Sequence, residues 1–484
     1  RTGIDAMVNS LDPYTNYISE NDIESYRLQT EGRYNGIGAV SKLIDDYVTL
    51  TEVYKDQSAD KAGLKAGDQI VGVAGKDTKG KTPQEVNDLL KVSSRQGLEL
   101  TIRRPGQEKD MFVAIERATV EIPNVPFYDV LDGDIGYVVL TTFTRQAGAN
   151  VGNAVKELKK KNPNLKGVIL DLRGNGGGLL AEAVNVSNVF IPQNELVTST
   201  QGKVREWDRN FKTQNQPIDI DLPLAVTING RSASASEIVC GTMQDYDRGI
   251  LIGQQSYGKG LVQNTKDIGY NAKLKLTIAK YYIPSGRCIQ SVEYADGEPV
   301  NISDEERTKF KTENGRVVLD GGGVRPDIVI PKATDSDIIK SIVDQDYIFK
   351  FVTQFCLENE TIAAVEDFRF TKFDEFVQFL ENQDFKFETQ SEKLLKKLEA
   401  DAKDQGYTFL QEIETIKANI AKEKEESIMK YKKDLIKIVE KEIAGRYYYQ
   451  EGKIKMGLRN DDEIQEAIAV LRDTDKYNEI LGNK

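Results

Sequence analysis

The sequence contains no histidine among its 484 residues, although it has 65 Lys and Arg against 77 Asp and Glu. Catalytic centres of the Ser-His-Asp and Cys-His types, the His-Glu-x-x-His zinc helix and histidine-ligated haem or zinc are therefore excluded within this chain. Any acid–base chemistry must instead rely on carboxylates, lysine, tyrosine or cysteine.

Cysteine and long apolar runs are also scarce. The three cysteines Cys240, Cys288 and Cys356 are widely spaced and odd in number, so they form neither a Cys-x-x-Cys metal site nor a disulfide framework. No apolar run approaches the roughly 18 residues of a membrane-spanning helix. The chain opens Arg-Thr-Gly-Ile-Asp without a methionine or a signal-peptide core, and we expect this start to result from processing or trimming.

What the sequence does contain is typical of a soluble globular protein. Hydrophobic residues make up 39% and charged residues 29%, and the net charge is −12. This acidic balance argues against a nucleic-acid partner. At roughly 150 residues per domain, the length predicts about three domains.

Four segments differ in hydrophobic pattern, and these differences predict the domain boundaries. Residues 1–35 form a short helical lead-in, in which Pro13 marks a turn or helix start. Residues 36–118 contain short β-branched runs and one helical stretch, which predicts a β-rich module. Residues 119–332 alternate strand and helix patterns, which indicates an α/β core. Residues 333–484 have long helical periods among Lys and Glu, typical of an amphipathic helical domain or of a partner-binding surface.

A glycine-rich loop follows a predicted buried strand in the α/β segment, with the sequence Leu-Arg-Gly-Asn-Gly-Gly-Gly at 172–178. The dinucleotide-binding fingerprint fails because Leu179 stands where its last glycine is required. The loop still leaves backbone N–H groups at the start of a helical pattern. It can therefore bind an anion or an oxyanion, or it can be a plain turn.

A second loop, residues 253–260, matches the G-x-x-x-x-G-K pattern of a P-loop. Gly260 stands where the Mg²⁺-binding Ser or Thr is required, and the sequence from Leu261 onward predicts strand rather than helix. Nucleotide binding is therefore only a secondary alternative, and Lys259 is left without a phosphate to bind.

A serine-rich turn at 229–238 leads from a predicted strand into a predicted helix. Ser234 and Glu237 form a capping-box pattern, so Ser234 can be simply a helix N-cap. A serine at such a turn can also be a nucleophile, provided that a base is available. Without histidine, that base would be a desolvated lysine, for which Lys259 is the candidate. Gln263 lies four residues further on and, in an extended segment, its amide could orient the amine.

Several segments together closely resemble the C-terminal processing peptidases, or tail-specific proteases, which are Ser/Lys serine endopeptidases. The resemblance covers residues 1 to about 331 in the order of the family. The matching segments are Leu-Asp-Pro-Tyr-Thr-Asn-Tyr (11–17), Asp-Leu-Arg-Gly-Asn-Gly-Gly-Gly (171–178), Ser-Ala-Ser-Ala-Ser-Glu-Ile (232–238), Met-Gln-Asp-Tyr (243–246), Tyr-Gly-Lys-Gly-Leu-Val-Gln (257–263), Tyr-Tyr-Ile-Pro-Ser-Gly-Arg-Cys-Ile-Gln (281–290) and Gly-Val-Arg-Pro-Asp-Ile (323–328).

The resemblance implies an α/β multidomain fold. Its parts would be a crotonase-like α/β protease core, an inserted β-rich PDZ domain over 36–118, a helical N-terminal lead-in and a helical C-terminal extension. Gly36, Ile37, Gly38 and Ala39 would form the PDZ loop that grips a peptide carboxylate while the peptide adds as a strand.

The resemblance also assigns catalytic roles. They are the backbone N–H groups of Ala235 and of Gly177 or Gly178 as the oxyanion hole, Ser234 as the nucleophile, Lys259 as the general base, Gln263 as its orienting neighbour and Asp245 as an acidic site residue. For Asp245, a surface carboxylate on a helix is the alternative.

The expected function is cleavage of proteins near their C-termini, without a metal or other cofactor. The expected partners are proteins or peptides with free C-termini, and a homo-oligomer can form through the helical C-terminal region. The family implies a bacterial periplasmic or envelope location, with the signal or anchor segment absent from this chain. Two alternatives remain, which are a catalytically silent PDZ scaffold and a P-loop-like nucleotide binder.

Overall fold

The computed structural model describes residues 2–93, 98–290, 293–295, 298–300, 303–331 and 336–483. The predicted boundary at residue 332 therefore lies outside the described residues. The α-helices of the described part are α1 (Thr2–Asn9), α2 (Ile23–Glu31), α3 (Ser58–Lys61), α4 (Pro83–Ser93), α5 (Ala147–Lys161), α6 (Leu180–Phe190), α7 (Ala235–Asp245), α8 (Asp337–Asp344), α9 (Tyr347–Glu358), α10 (Phe373–Asn382), α11 (Gln390–Gln405), α12 (Leu410–Lys430), α13 (Lys432–Leu458), α14 (Asp462–Arg472) and α15 (Thr474–Leu481).

Most strands are short, and those within residues 36–118 agree with the punctuated β-branched runs of that segment. The strands of the described part are β1 (Asn16–Ile18), β2 (Arg33–Gly36), β3 (Ala39–Ile44), β4 (Tyr47–Val53), β5 (Gln69–Val73), β6 (Lys76–Asp77), β7 (Leu98–Arg103), β8 (Met111–Ile115), β9 (Ala118–Glu121), β10 (Phe127–Leu131), β11 (Ile135–Val139), β12 (Gly167–Asp171), β13 (Leu196–Gly202), β14 (Arg209–Lys212), β15 (Leu224–Ile228), β16 (Ile250–Gly253), β17 (Leu261–Gly269), β18 (Ala272–Tyr282), β19 (Glu293–Ala295), β20 (Glu298–Val300), β21 (Lys309–Lys311), β22 (Val317–Leu319) and β23 (Ile328–Val329).

The chain forms two compact units, each built from separated stretches. The first unit, here called the α/β unit, comprises Arg1–Asn35, Glu121–Lys332 and Asn460–Lys484. The second comprises Gly36–Val120 and Ala333–Arg459. The stretch from Asn460 onward thus belongs with the α/β unit, whereas the sequence pattern groups it with the preceding helices. The predicted α/β class, with a β-rich module and a helical region, is confirmed.

The main sheet of the α/β unit has the strand order β10-β11-β12-β15-β16-β23, in which only β10 runs antiparallel. Its central strands are buried along their whole length, as expected for a parallel sheet covered on both faces. Val168 and Leu170 of β12 share a core cluster with α5, α6 and α7. A Cβ on the neighbouring Gly167 would instead meet Leu471 of α14, so α14 covers the opposite face.

A second sheet in the same unit carries the long hairpin β17–β18. Strand β18 also pairs antiparallel with β13 and with β1 of the N-terminal segment. Gln263 lies opposite Thr277 across the hairpin, and Asn16 lies opposite Lys275. The N-terminal residues are therefore built into this sheet beside the hairpin.

The second unit joins a β-rich module to a helical bundle. The sheet of the module has the order β3-β4-β5-β7-β8, and α4 packs against it. The bundle surrounds a phenylalanine-rich cluster formed by α8, α9, α10 and α13. Tyr449 of α13 donates a 2.8 Å hydrogen bond to Asp60, and Arg446 donates one of 3.0 Å to the carbonyl of Ala66. In the described part of the chain, no helix combines the length and apolar character needed to cross a membrane.

Candidate active site

Ser234 lies at the turn between β15 and α7 and is partly exposed. Its backbone has φ 57° and ψ −112°, whereas an N-cap residue normally adopts an extended conformation. Its N–H donates a 2.8 Å hydrogen bond to Glu237 Oε2, which is one half of the predicted capping box. The unusual backbone conformation exceeds what a cap requires, and such strain concentrates at functional sites.

The glycine-rich loop is held against the serine turn. The carbonyl oxygen of Asn175 accepts hydrogen bonds from the N–H of Ala233 at 3.0 Å and from the Ser236 hydroxyl at 2.8 Å. A Cβ on Gly177 would lie 2.7 Å from the Ala233 carbonyl oxygen and 2.9 Å from the nitrogen of Ala235. Glycine is thus required at 177 because the two backbones approach so closely.

The predicted oxyanion donors at this junction differ in whether their N–H groups are already hydrogen-bonded. The N–H of Gly177 already donates a 2.9 Å hydrogen bond to Asn175 Oδ1. The N–H groups of Gly178 and Ala235 make no hydrogen bond to any residue that the structure describes. Gly177 and Gly178 are the predicted alternatives for the second oxyanion donor beside Ala235. The hydrogen bonds favour Gly178.

The loop carrying Lys259 is held by the same residues that hold Ser234. Glu237 Oε2, which binds the N–H of Ser234, also accepts the N–H of Lys259 at 2.8 Å, and Oε1 accepts the N–H of Gly258 at 2.6 Å. The Tyr281 hydroxyl lies within hydrogen-bond distance of the carbonyl oxygens of Ser234, at 3.1 Å, and of Lys259, and its single proton is shared between them. One carboxylate and one phenol therefore join the backbones of Ser234 and Lys259.

This bonding pattern also bears on the nucleotide-binding alternative. The loop at 253–260 leads into β17 rather than into a helix. The amides of Gly258 and Lys259, which a P-loop would offer to phosphate, are occupied by Glu237. The described loop thus lacks two features on which phosphate binding depends.

The pKa of the Lys259 amine lies close to physiological pH. The pKa of Lys259 is lowered to about 8, chiefly by burial and also by the nearby charge of Lys275, while Glu237 and Asp12 act in the opposite direction. Its Nζ lies 4.6 Å from the centroid of the Tyr14 ring and makes no hydrogen bond or ion pair with the described residues. A lysine of this kind can be a general base near physiological pH.

Gln263 is close to this region but is engaged elsewhere. Its Nε2 donates to the carbonyl of Leu261 at 3.2 Å and to Thr277 Oγ1 at 3.4 Å. The Thr277 hydroxyl in turn donates a 2.9 Å hydrogen bond to Asp12. The predicted orienting contact between Gln263 and Lys259 is not formed among the described residues, and this role stays a prediction.

Asp245 is not brought to the serine. It is the last residue of α7, an 11-residue helix that starts directly after Ser234, so the two lie roughly 15 Å apart along the axis. Its carboxylate pairs with Arg287 at 2.9 Å and accepts the N–H of Ser285 at 2.9 Å. The surface alternative is wrong, because Asp245 is only 3% exposed. Burial raises the pKa of this carboxyl, and Arg287 opposes the shift.

The predicted carboxylate-binding loop connects β2 to β3. The carbonyl of Ile37 accepts the N–H of Ala59 at 2.7 Å, and the carbonyl of Gly38 accepts the N–H of Tyr54 at 2.9 Å. Gly38 has φ 80°, and a Cβ there would lie 2.3 Å from Gln57 Cβ. The loop leads directly into β3, the edge strand of its sheet, which is where an added peptide strand would pair.

Several residues of this site follow from no sequence pattern. The sequence assigns no role to Tyr281, Asp12, Tyr14 and Lys275, and it indicates only a helix-cap role for Glu237. The segments 11–17 and 281–290 contain three of these residues and contribute only to the family resemblance. For Glu237, the available signal is its charge in a capping position next to a candidate nucleophile.

Fold and geometry together define a multidomain protein with a β-rich module and an α/β unit in which Glu237 binds the backbone N–H groups of both Ser234 and Lys259. Comparison with known families identifies the domains of the chain. Residues 134–296 match peptidase family S41, residues 49–104 match the PDZ domain, and residues 338–471 match the C-terminal helical domain of a probable PDZ-protease. The chain therefore carries an S41 peptidase domain, a PDZ domain and this helical domain.

Two curated relatives and one solved structure are similar to this chain. A carboxy-terminal-processing protease of Bartonella bacilliformis is 37% identical over 60% of this chain and 66% of its own length. A probable CtpA-like serine protease of Staphylococcus aureus is 33% identical over 60% of this chain and 57% of its own length. The chain thus spans less than two thirds of either relative. A solved photosystem II D1 C-terminal processing protease is 26% identical, covering 69% of this chain and 83% of its own, with a TM-score of 0.37.

Proposed function

We propose that this chain is a serine endopeptidase that cleaves protein substrates near their C-termini. The observation that carries the proposal is that Glu237 binds the backbone N–H groups of both Ser234 and Lys259, while burial lowers the pKa of the lysine to about 8. The names of the two curated relatives support the same reaction class.

In the proposed mechanism, neutral Lys259 accepts the hydroxyl proton of Ser234 as Oγ attacks a peptide carbonyl. The N–H groups of Ala235 and Gly178 stabilise the oxyanion. The lysine ammonium then donates its proton to the leaving amine, and water, deprotonated by the same lysine, hydrolyses the acyl-enzyme. Gln263 is proposed to orient the amine once substrate is bound. The reaction requires no metal or other cofactor.

Substrate recognition is proposed to involve the PDZ domain. The N–H groups of the loop at 36–39 would bind the terminal carboxylate, and the substrate would extend the sheet beside β3. The close approach at Gly38 and the edge position of β3 support this assignment. The partners would be proteins or peptides with free C-termini rather than nucleic acids.

Three further points belong to the proposal. The core is crotonase-like, the protein acts in the bacterial periplasm or cell envelope, and it forms a homo-oligomer through the helical region. Exposed apolar side chains on α11 and α12 support such an assembly, and they are Leu394, Leu398, Ile416 and Met429. Light scattering of the full chain tests it, and a strictly monomeric species at micromolar concentration would contradict it.

The proposal is tested with fluorogenic peptides that end in a free carboxylate or in an amide. Wild type is expected to cleave the free-carboxylate peptide faster, and Ser234→Ala and Lys259→Ala are each expected to abolish cleavage. Lys273→Ala, in which an ion-paired lysine of β18 is removed, is the matched control. Cleavage by either site variant at the wild-type rate would contradict the dyad. Peptide binding without any cleavage by wild type would instead favour the silent PDZ scaffold.

A further inference from the structure

Arg173 of the glycine-rich loop is the centre of a largely buried ion-pair network. Its Nε and Nη2 donate to Asp171 at 3.0 and 2.7 Å, and its Nη1 donates to Asp461 at 2.8 Å and to Glu463. The Arg173 side chain is only 16% exposed. Two of these carboxylates belong to the start of α14, almost 300 residues further along the chain.

Glu463 also reaches the loop that carries Lys259. Its Oε1 accepts a hydrogen bond from Nε2 of Gln254, the residue directly after β16. The backbone N–H of Gln254 is fixed by a 3.0 Å hydrogen bond to the carbonyl of Ile228. One carboxylate at the start of α14 therefore contacts the glycine loop through Arg173 and the lysine loop through Gln254.

The two α14 carboxylates are themselves fixed in place. Asp461 is the N-cap of α14 and accepts the N–H groups of Glu463 at 3.1 Å and Ile464 at 3.2 Å. Helix α14 packs on β12, β15 and β16, the strands that lead into the three site loops. The network is therefore anchored to the same sheet that positions Ser234.

Such a network holds its loops firmly because its charges are buried. Arg–carboxylate pairs with two parallel hydrogen bonds are strong and directional, and removing one partner leaves a buried charge uncompensated. Burial lowers the pKa of Arg173, but Asp171 and the other carboxylates outweigh it and raise the pKa, so the guanidinium stays charged.

We infer that Asp461 and Glu463 are positioning residues for the active site, which hold the glycine loop through Arg173 and the lysine loop through Gln254. The catalytic consequence rests on the proposed function. The N–H of Gly178 lies five residues after Arg173, and oxyanion binding is sensitive to displacements of about 1 Å. The segment after residue 459 thus completes the site by positioning its two loops.

The first test compares Asp461→Asn and Glu463→Gln in the full chain. Asn retains the helix cap, and Gln retains the shape of Glu. Each variant is expected to lower kcat on the order of 10-fold or more while KM changes less than about twofold, because the transition state is affected rather than binding. The matched controls are Glu466→Gln and Arg472→Gln on the exposed side of α14, with ion pairs to Lys476 and Asp134. Equal kcat values in the site and control variants would overturn the inference.

The second test does not depend on activity. Amide hydrogen exchange in the segments 172–179 and 254–260 is expected to accelerate in Asp461→Asn and Glu463→Gln but not in the controls. Unchanged exchange in both segments would overturn the inference, whether or not the enzyme is active. Absence of Ser234-dependent cleavage in wild type would contradict the proposed function alone, and the exchange result would still decide the positioning role.

Discussion

The Nζ of Lys259 lies 4.6 Å from the centroid of the Tyr14 ring, so the N-terminal segment supplies part of the surroundings of the proposed base. An aromatic face stabilises the charged form of an amine. Burial and the nearby Lys275 favour the neutral form instead. The protonation of Lys259 is therefore set by opposing contributions from separate parts of the α/β unit.

The first prediction concerns the pH dependence of wild type. Since the base acts in its neutral form and the pKa of Lys259 is lowered to about 8, kcat/KM should rise with pH and reach half its plateau near pH 8. Below that point it should fall about tenfold per pH unit. Peptide cleavage from about pH 5 to 10 tests this. A flat profile would argue against a lysine base.

Replacing the aromatic contact should shift this profile. In Tyr14→Leu the apolar cover is retained but the attraction between ring and ammonium is lost, so the pKa of Lys259 should fall. For a contact of about 0.5–1 kcal/mol, the half-maximum of kcat/KM should move to lower pH by roughly half a unit. Tyr14→Phe keeps the ring and should leave the midpoint in place. A midpoint unchanged in Tyr14→Leu would mean that the contact has no effect on the amine.

Removing the neighbouring positive charge should have the opposite effect. Lys275 is one of the groups that lower the pKa of Lys259. In Lys275→Gln the half-maximum of kcat/KM should therefore move to higher pH, and activity at pH 7 should fall. Lys273→Gln removes the same charge two residues away, from a lysine paired with Asp267. Identical shifts in both variants would indicate a general charge effect instead.

The Glu237 carboxylate should be important for stability as well as activity. Glu237→Ala leaves the N–H groups of Ser234, Gly258 and Lys259 without their acceptor. The bonds of Ser234 and Lys259 are only partly buried. At roughly 1–3 kcal/mol for each buried unsatisfied group, we therefore expect the free energy of unfolding to fall by about 2 kcal/mol or more. Urea denaturation measures this, with the exposed Glu206→Ala as control. A midpoint equal to that of the control would contradict the structural role.

Two adjacent glycines provide a matched pair for the oxyanion loop. In Gly177→Ala the new Cβ would meet the backbone of Ala233 and Ala235, and φ 98° adds strain. We expect kcat/KM to fall about 100-fold or more, as for a displaced oxyanion donor. A Cβ on Gly176 meets nothing within 4 Å, so Gly176→Ala should stay near wild type. Similar losses in the two variants would exclude a specific requirement at 177.

The sequence allowed the α/β class, Ser234, Lys259 and the glycine loop to be predicted because each depends on local patterns. A strand, a turn and a helix follow one another within a few residues, and the resemblance orders these segments. Tyr14 and Asp12 could not be found in this way, because their relation to Lys259 depends on the pairing of β1 with β18. No local sequence pattern relates Tyr14 or Asp12 to a residue so far away in the chain.

The change of unit at Asn460 was also invisible in the sequence. Helix α14 begins shortly after α13 ends, yet the two helices pack in different units. Periodicity indicates which face of a helix is buried but not which partner covers it. The Arg173 network therefore appears only in three dimensions.

Because Asp461 and Glu463 follow Ser234 and Lys259 in the sequence, the Arg173 network can form only after the proposed nucleophile and base have been synthesised. The ribosome delivers Ser234 and Lys259 well before Asp461 and Glu463, and at about 5–20 residues per second the interval is on the order of 10 to 40 seconds. During that time the nascent chain holds its proposed nucleophile and base, while Arg173 lacks two of its three carboxylate partners. Maturation of the site is thereby tied to synthesis of the segment that carries Asp461 and Glu463.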